Sequence, residues 1–188
     1  MDSHAEKNRR PLDSTPVAPS LFAHFVLRTP NKQALVEWYC TVLAAHLVFE
    51  NEYISFITYD DEHHRVAFAQ IPELEKPAAK AWGLAHVAYT LGDLGQLLGT
   101  YRRLKGAGIV PVRTINHGPT VSMYYKDPDG NQVELQVDAF DTKAGAASYF
   151  HTEAFAKNPI GVLFDADKMA ADYEAGVPEA DLLRRPAE

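Results

Sequence analysis

The chain of 188 residues carries 18 Lys and Arg against 25 Asp and Glu, a net charge of −7. That length makes one domain, or two small ones, with enough chain for a core that needs no disulfide. The acidic balance argues against a nucleic-acid binder and against a surface drawn to anionic membranes. Cys40 is the one cysteine, which excludes an intrachain disulfide and a cysteine-based zinc cluster and agrees with a reducing, cytoplasmic setting. No apolar run approaches the length of a membrane span.

Met1 to about Ser20 is polar, with Lys7, Arg9 and Arg10, and reads as a flexible arm over residues 1–20, not a signal peptide. Leu21 to Leu27 alternates as a strand does. Thr29-Pro30-Asn31 is turn chemistry leading into a helix whose apolar stripe is Leu35, Trp38, Tyr39, Val42 and Leu43. Short strands follow at His46–Glu50, Tyr53–Tyr59 and His64–Gln70. After the Pro72–Lys80 linker the order repeats. Gly83–Leu91 is a strand. Leu94, Leu97, Leu98, Tyr101 and Leu104 form a helical stripe ending at Gly106 and Gly108. Strands are expected at Val110–Ile115, Thr120–Tyr125 and Gln132–Val137, the last two joined by the turn sequence Lys126-Asp127-Pro128-Asp129-Gly130-Asn131. The chain is therefore α+β and contains a βαβββ unit twice, in modules of about 21–70 and 83–138, followed by a tail over 139–188 with short helices. His24 and His86 sit in matching frames of the two units, Phe22-Ala23-His24-Phe25 and Leu84-Ala85-His86-Val87, which marks an internal duplication.

His24 and His86 lie mid-strand in this reading, and Glu134 lies in the last strand as Val133-Glu134-Leu135. Strand residues alternate between faces, so Phe25 and Leu27 point away from His24, and Val133 and Leu135 away from Glu134. The apolar face packs on the helices and the other face carries two imidazoles and a carboxylate. A buried carboxylate is costly unless it is paired or metal-bound, and two histidines with one carboxylate are the ligand set of non-haem Fe(II) oxygenases. Taken singly, a strand histidine or glutamate is most often a core or surface residue, so the pattern alone leaves both metal binding and three separately satisfied side chains open.

The segment Ser122-Met123-Tyr124-Tyr125-Lys126-Asp127-Pro128-Asp129-Gly130-Asn131-Gln132-Val133-Glu134-Leu135 resembles the most recognisable stretch of the vicinal oxygen chelate superfamily, and the resemblance covers about Leu21 to Asp138. It implies two modules forming one cupped mixed sheet around a metal site held by His24, His86 and Glu134. Three further positions are similar to those of type I extradiol ring-cleaving dioxygenases. The segment Glu62-His63-His64-Arg65-Val66 matches the stretch whose histidine is the acid–base catalyst, here His64. Asn116-His117-Gly118-Pro119 matches the loop whose histidine, here His117, touches substrate or oxygen. Tyr124 matches the tyrosine that bonds a catechol hydroxyl. The resemblance thus implies Fe(II) as cofactor and a catechol and O2 as substrates, with no nucleic-acid or membrane partner. Alternatives on the same fold are a metal-dependent lyase, isomerase or thiol transferase, glyoxalase-like or fosfomycin-resistance-like, and a metal-free small-molecule-binding protein. Larger relatives carry four modules where this chain has one pair, and the Pro72–Lys80 linker lengthens the usual gap between His64 and His86. Gln70 is expected near the first module's counterpart of Glu134, which gives one metal per chain. The missing second pair predicts a homo-oligomer, a dimer or higher. By alternation, His63 is expected on the face opposite His64.

Overall fold

Side-chain caps set where the two long helices begin. Asn31 accepts from the amide of Ala34 and opens α1 (Lys32–Leu43), which ends at Ala44 in the left-handed region. Asp93 accepts from Gln96 N at 2.7 Å and opens α2 (Leu94–Gly106), after which Gly108 takes a φ of 79°. The computed structural model describes residues 12–78 and 81–186. Of the arm expected over 1–20, residues 1–11 lie outside the described residues, and 12–20 form neither helix nor strand. Residues 79 and 80 of the linker and residues 187 and 188 of the tail are also outside them.

Both βαβββ units form. The first is β1 (Phe25–Thr29), α1, β2 (His46–Glu50), β3 (Ile54–Thr58) and β4 (Val66–Gln70). The second is β5 (Val87–Thr90), α2, β6 (Arg113–Asn116), β7 (Thr120–Lys126) and β8 (Gln132–Asp138). Within each unit the first and last strands pair in parallel and the rest antiparallel, giving orders β1-β4-β3-β2 and β5-β8-β7-β6, the second sheet being extended beside β6 by a strand of the tail. The tail adds α3 (Lys143–Tyr149), α4 (Glu153–Lys157), β9 (Val162–Leu163), α5 (Ala166–Glu174) and α6 (Glu179–Leu183). No helix among the described residues is long and apolar enough to cross a membrane.

The chain makes two mixed sheets, of four and five strands, rather than one cupped sheet. The reason is where its apolar surface runs. Leu35, Val36, Tyr39 and Val42 of α1 and Leu94, Leu97, Leu98, Tyr101 and Leu104 of α2 join Ile57, Val66, Phe68, Val121, Met123, Tyr125, Val133 and Leu135 in one core. The modules thus meet through their helix-covered faces, and β1 and β5 end as sheet edges. Two polar ties reinforce the contact. Arg103 of α2 donates to the carbonyls of Thr41 and Val42 at the C-terminal end of α1, where the helix dipole favours a cation. Tyr39 Oη donates to Asp127 Oδ2 at 3.2 Å, in a buried setting that raises both pKa values, chiefly by desolvation.

Three residues expected inside strands, His24 and His86 in the middle and His64 at the start, sit instead just ahead of them: His24 before β1, His64 before β4 and His86 before β5. The register also corrects the duplication. Ala88 lies opposite Glu134 in the second unit, and Val26 opposite Ala67 in the first. Ala67, not Gln70, therefore holds the place of Glu134, while the Gln70 amide binds Lys32 N and Pro30 O. The first module still offers no carboxylate there.

Candidate functional site

In the second module, β8 pairs with β5 on one side and β7 on the other, which sets Glu134 beside Ala88 and Tyr124. Val133 and Leu135 point into the core, as alternation predicts, and Tyr125 does the same opposite Tyr124. The Glu134 side chain is 6% exposed, and its Oε2 lies 2.9 Å from His86 Nε2. His117, just past β6, brings Nε2 to 2.8 Å from Tyr124 Oη and 3.9 Å from Glu134 Oε1. The Arg113 guanidinium stands 4.5 Å from the centre of the Tyr124 ring. Burial raises the pKa of the Tyr124 hydroxyl, and the negative charge of Glu134 raises it further, against a smaller opposite pull from Arg113. At neutral pH Tyr124 is therefore a hydrogen-bond donor. His86, His117, Tyr124 and Glu134 come together, while His24 and His64, expected beside them, lie elsewhere.

The first module builds a second cluster. The ring of His24 lies 4.2 Å from that of His64 and 6.2 Å from that of His63. Phe56 stacks on His64 at 4.5 Å. Arg65 fixes this corner by gripping Asp60 and donating to the carbonyls of Phe22 and Ala23 just before His24. The pKa of His64 is lowered, first by desolvation, then by repulsion from His24 and His63, with Glu62 opposing. His63 does not face away from His64: their Nδ1 atoms are 2.6 Å apart. Alternation fails here because both residues precede β4, outside the pleated backbone that enforces it.

The two clusters do not meet within the chain. Among the described residues no three His, Cys, Asp or Glu side chains are grouped so that they hold a metal ion. The residues of the expected trio are nevertheless of the right kind for Fe(II). Glu134 and His86 already face each other with one oxygen and one nitrogen, and an ion between them would relieve the desolvation of the buried carboxylate. His24, the third residue expected to hold the ion, lies just before β1 of the other sheet. Sequence reasoning missed Arg113 and Phe56. Arg113 had a signal, since it shares a strand face with Ile115 and pairs with Tyr124; Phe56 had none. A cavity of about 620 Å³ lies off this site, against Gly118, Tyr149 and Leu183.

The model of the Glyoxalase/Bleomycin resistance protein/Dioxygenase superfamily matches residues 21–135. The chain is 48% identical over 158 residues to biphenyl-2,3-diol 1,2-dioxygenase 2 of Rhodococcus globerulus, covering 84% of this chain and 83% of that one. It is 45% identical over 171 residues to biphenyl-2,3-diol 1,2-dioxygenase 3 of the same organism, covering 90% of each. The crystal structure of a glyoxalase/dioxygenase from Nostoc punctiforme superposes with a TM-score of 0.54 at 20% identity, over 68% of this chain and 99% of that one, a likeness of fold.

Proposed function

Because the chain belongs to the glyoxalase/bleomycin resistance/dioxygenase superfamily, we propose that it is an extradiol dioxygenase that opens the ring of a catechol bearing an aryl substituent. One observation carries this reading: on a single sheet face the His86–Glu134 pair is accompanied by His117 hydrogen-bonded to Tyr124. A lyase on this fold needs the metal ligands but has no use for that second pair. The two relatives named for biphenyl-2,3-diol support the substrate class.

His24, His86 and Glu134 would hold Fe(II). Held there, such an ion would bring catechol and O2 together and let electrons pass between them. The protein's part is proton handling and placement. Tyr124, held protonated by burial and by Glu134, donates to a substrate oxygen and fixes its angle. His64, whose lowered pKa leaves it neutral at neutral pH, takes a proton from the catechol and returns it later. Phe56, stacked on His64, limits how that imidazole turns. His117, held beside Tyr124, would touch oxygen or a substrate hydroxyl.

The separation of His24 from Glu134 has a simple resolution in a homodimer. The His24 side also exposes Phe22 and Val26, and the His86 side exposes Trp82 and Leu84, each more than half open to solvent. Apolar surface of this kind, beside the free edges of β1 and β5, calls for a partner. A two-fold pairing brings the partner's His24 and the partner's His64 to His86 and Glu134 and makes two equal sites. The free thiol of Cys40 accords with a reducing cytoplasm.

The test is anaerobic reconstitution with Fe(II), addition of biphenyl-2,3-diol, then admission of air. A yellow ring-opened product that forms only after air enters is expected. Conversion that proceeds without air would replace this reading with a lyase or isomerase.

A further inference from the structure

Beyond the superfamily-matched residues 21–135, the tail reaches back to the site. His117 Nδ1 lies 2.5 Å from the carbonyl oxygen of Ile160. We propose that the tail segment Asn158–Gly161 is a positioning element of the site, which locks His117 as its Nδ1–H tautomer and presents a bare Nε2 to Tyr124.

The chemistry leaves little choice. A carbonyl oxygen only accepts, so Nδ1 must carry the proton. In the neutral ring Nε2 is then an acceptor. Its partner at 2.8 Å is the hydroxyl of Tyr124, so with Nε2 bare Tyr124 donates and His117 receives. The opposite tautomer would set the lone pair of Nδ1 against the lone pairs of Ile160 O. Glu134 Oε1, 3.9 Å from Nε2, is itself beyond hydrogen-bond reach of that atom.

The segment is built to hold that carbonyl still. Asn158 Oδ1 accepts from Ile160 N at 3.0 Å and Gly161 N at 2.9 Å, and its Nδ2 donates to Gly161 O at 3.0 Å. Arg185 donates to Asn158 O at 2.9 Å. Gly161 has a φ of 111°, and a Cβ there would lie 2.4 Å from Asn116 O and 2.8 Å from His117 Cα. Only glycine lets the two backbones approach so closely. The following strand β9 pairs Val162 with Asn116, and the Tyr149 ring fills the space that a Cβ on Gly118 would need. The tail thus clamps the His117 loop from both sides. That substrate takes over the one proton of Tyr124 and meets the bare Nε2 of His117 as an acceptor rests on the dioxygenase reading; the tautomer does not.

Histidine-15N-labelled full-length protein, without iron to avoid paramagnetic broadening, reports the tautomer directly by NMR, with the His117 signal assigned by its loss in His117→Gln. The expected wild-type pattern is a protonated Nδ1 and a bare Nε2. Asn158→Ala should convert His117 to an averaged or Nε2–H form and lower kcat about tenfold with KM little changed, as a misplaced group does. Asn158→Asp keeps both accepting contacts and should restore the tautomer and most of the turnover. Gly161→Ala should act as Asn158→Ala does. An Nε2–H signal in the wild type, or an unchanged tautomer in Asn158→Ala, overturns the proposal. A changed tautomer with full turnover overturns its part in the reaction. Since the NMR reading needs no substrate, it stands or falls apart from the dioxygenase assignment.

Discussion

His64 and His63 differ by one position and by how they meet His24, at 4.2 and 6.2 Å between ring centres. Replacing His64 by Phe keeps the stacking on Phe56 and removes the proton acceptor. Turnover should fall about a hundredfold with iron retained, the size of a general acid–base contribution. His63→Phe removes the partner of His64 Nδ1 and leaves the His64 ring in place. Its loss should be measurable and much smaller, about a few-fold, the cost of one modest hydrogen bond. Steady-state kinetics with parallel iron analysis reads both, and equal losses would mean that the two rings act as one unit. Residue types at this site were legible because alternation inside β8 and β7 fixed the faces of Glu134 and Tyr124. The face of His63 was not legible, since it precedes β4, where local turns set direction. The partner of His117 Nδ1 was equally hidden: a backbone carbonyl far along the chain leaves no pattern in the sequence.

At the scale of elements, helix stripes and turn signals located both modules to within a few residues. The tail helices had signals too, in the capping residues Thr142, Thr152 and Asp165. What no stripe encoded is how the modules sit together. That depends on ties such as Tyr39 Oη to Asp127 Oδ2 and Arg103 to the end of α1, each between residues far apart in sequence. Tyr39→Phe leaves the ring packed between Phe68 and Trp38 and removes only the hydroxyl. Asp127 keeps its bonds from Asp129 N, Asn131 N and Asn131 Nδ2. The expected cost is about 1–2 kcal/mol of stability, the penalty for one lost partner of a buried charged group. Urea denaturation should show it as a lower midpoint with an unchanged slope. An unchanged midpoint would mean that the apolar core alone sets the module contact.

For the whole molecule, the proposed dimer would make the His24–His64 cluster and the His86–Glu134 cluster of one chain each half of a different site, beside the free edges of β1 and β5. Subunit mixing tests this. His24→Ala and Glu134→Ala should each be inactive alone. Unfolded together and refolded, half the dimers would be mixed, and each would regain one intact site of two, about a quarter of wild-type activity. No recovery would place all three ligands in one chain. The central claim, that this chain splits a catechol ring with O2, is tested most directly by mass spectrometry of the product formed from biphenyl-2,3-diol under 18O2. The account predicts one O2 consumed per catechol and both labelled atoms in the ring-opened acid. A product of unchanged mass, or one that carries no label, would contradict it.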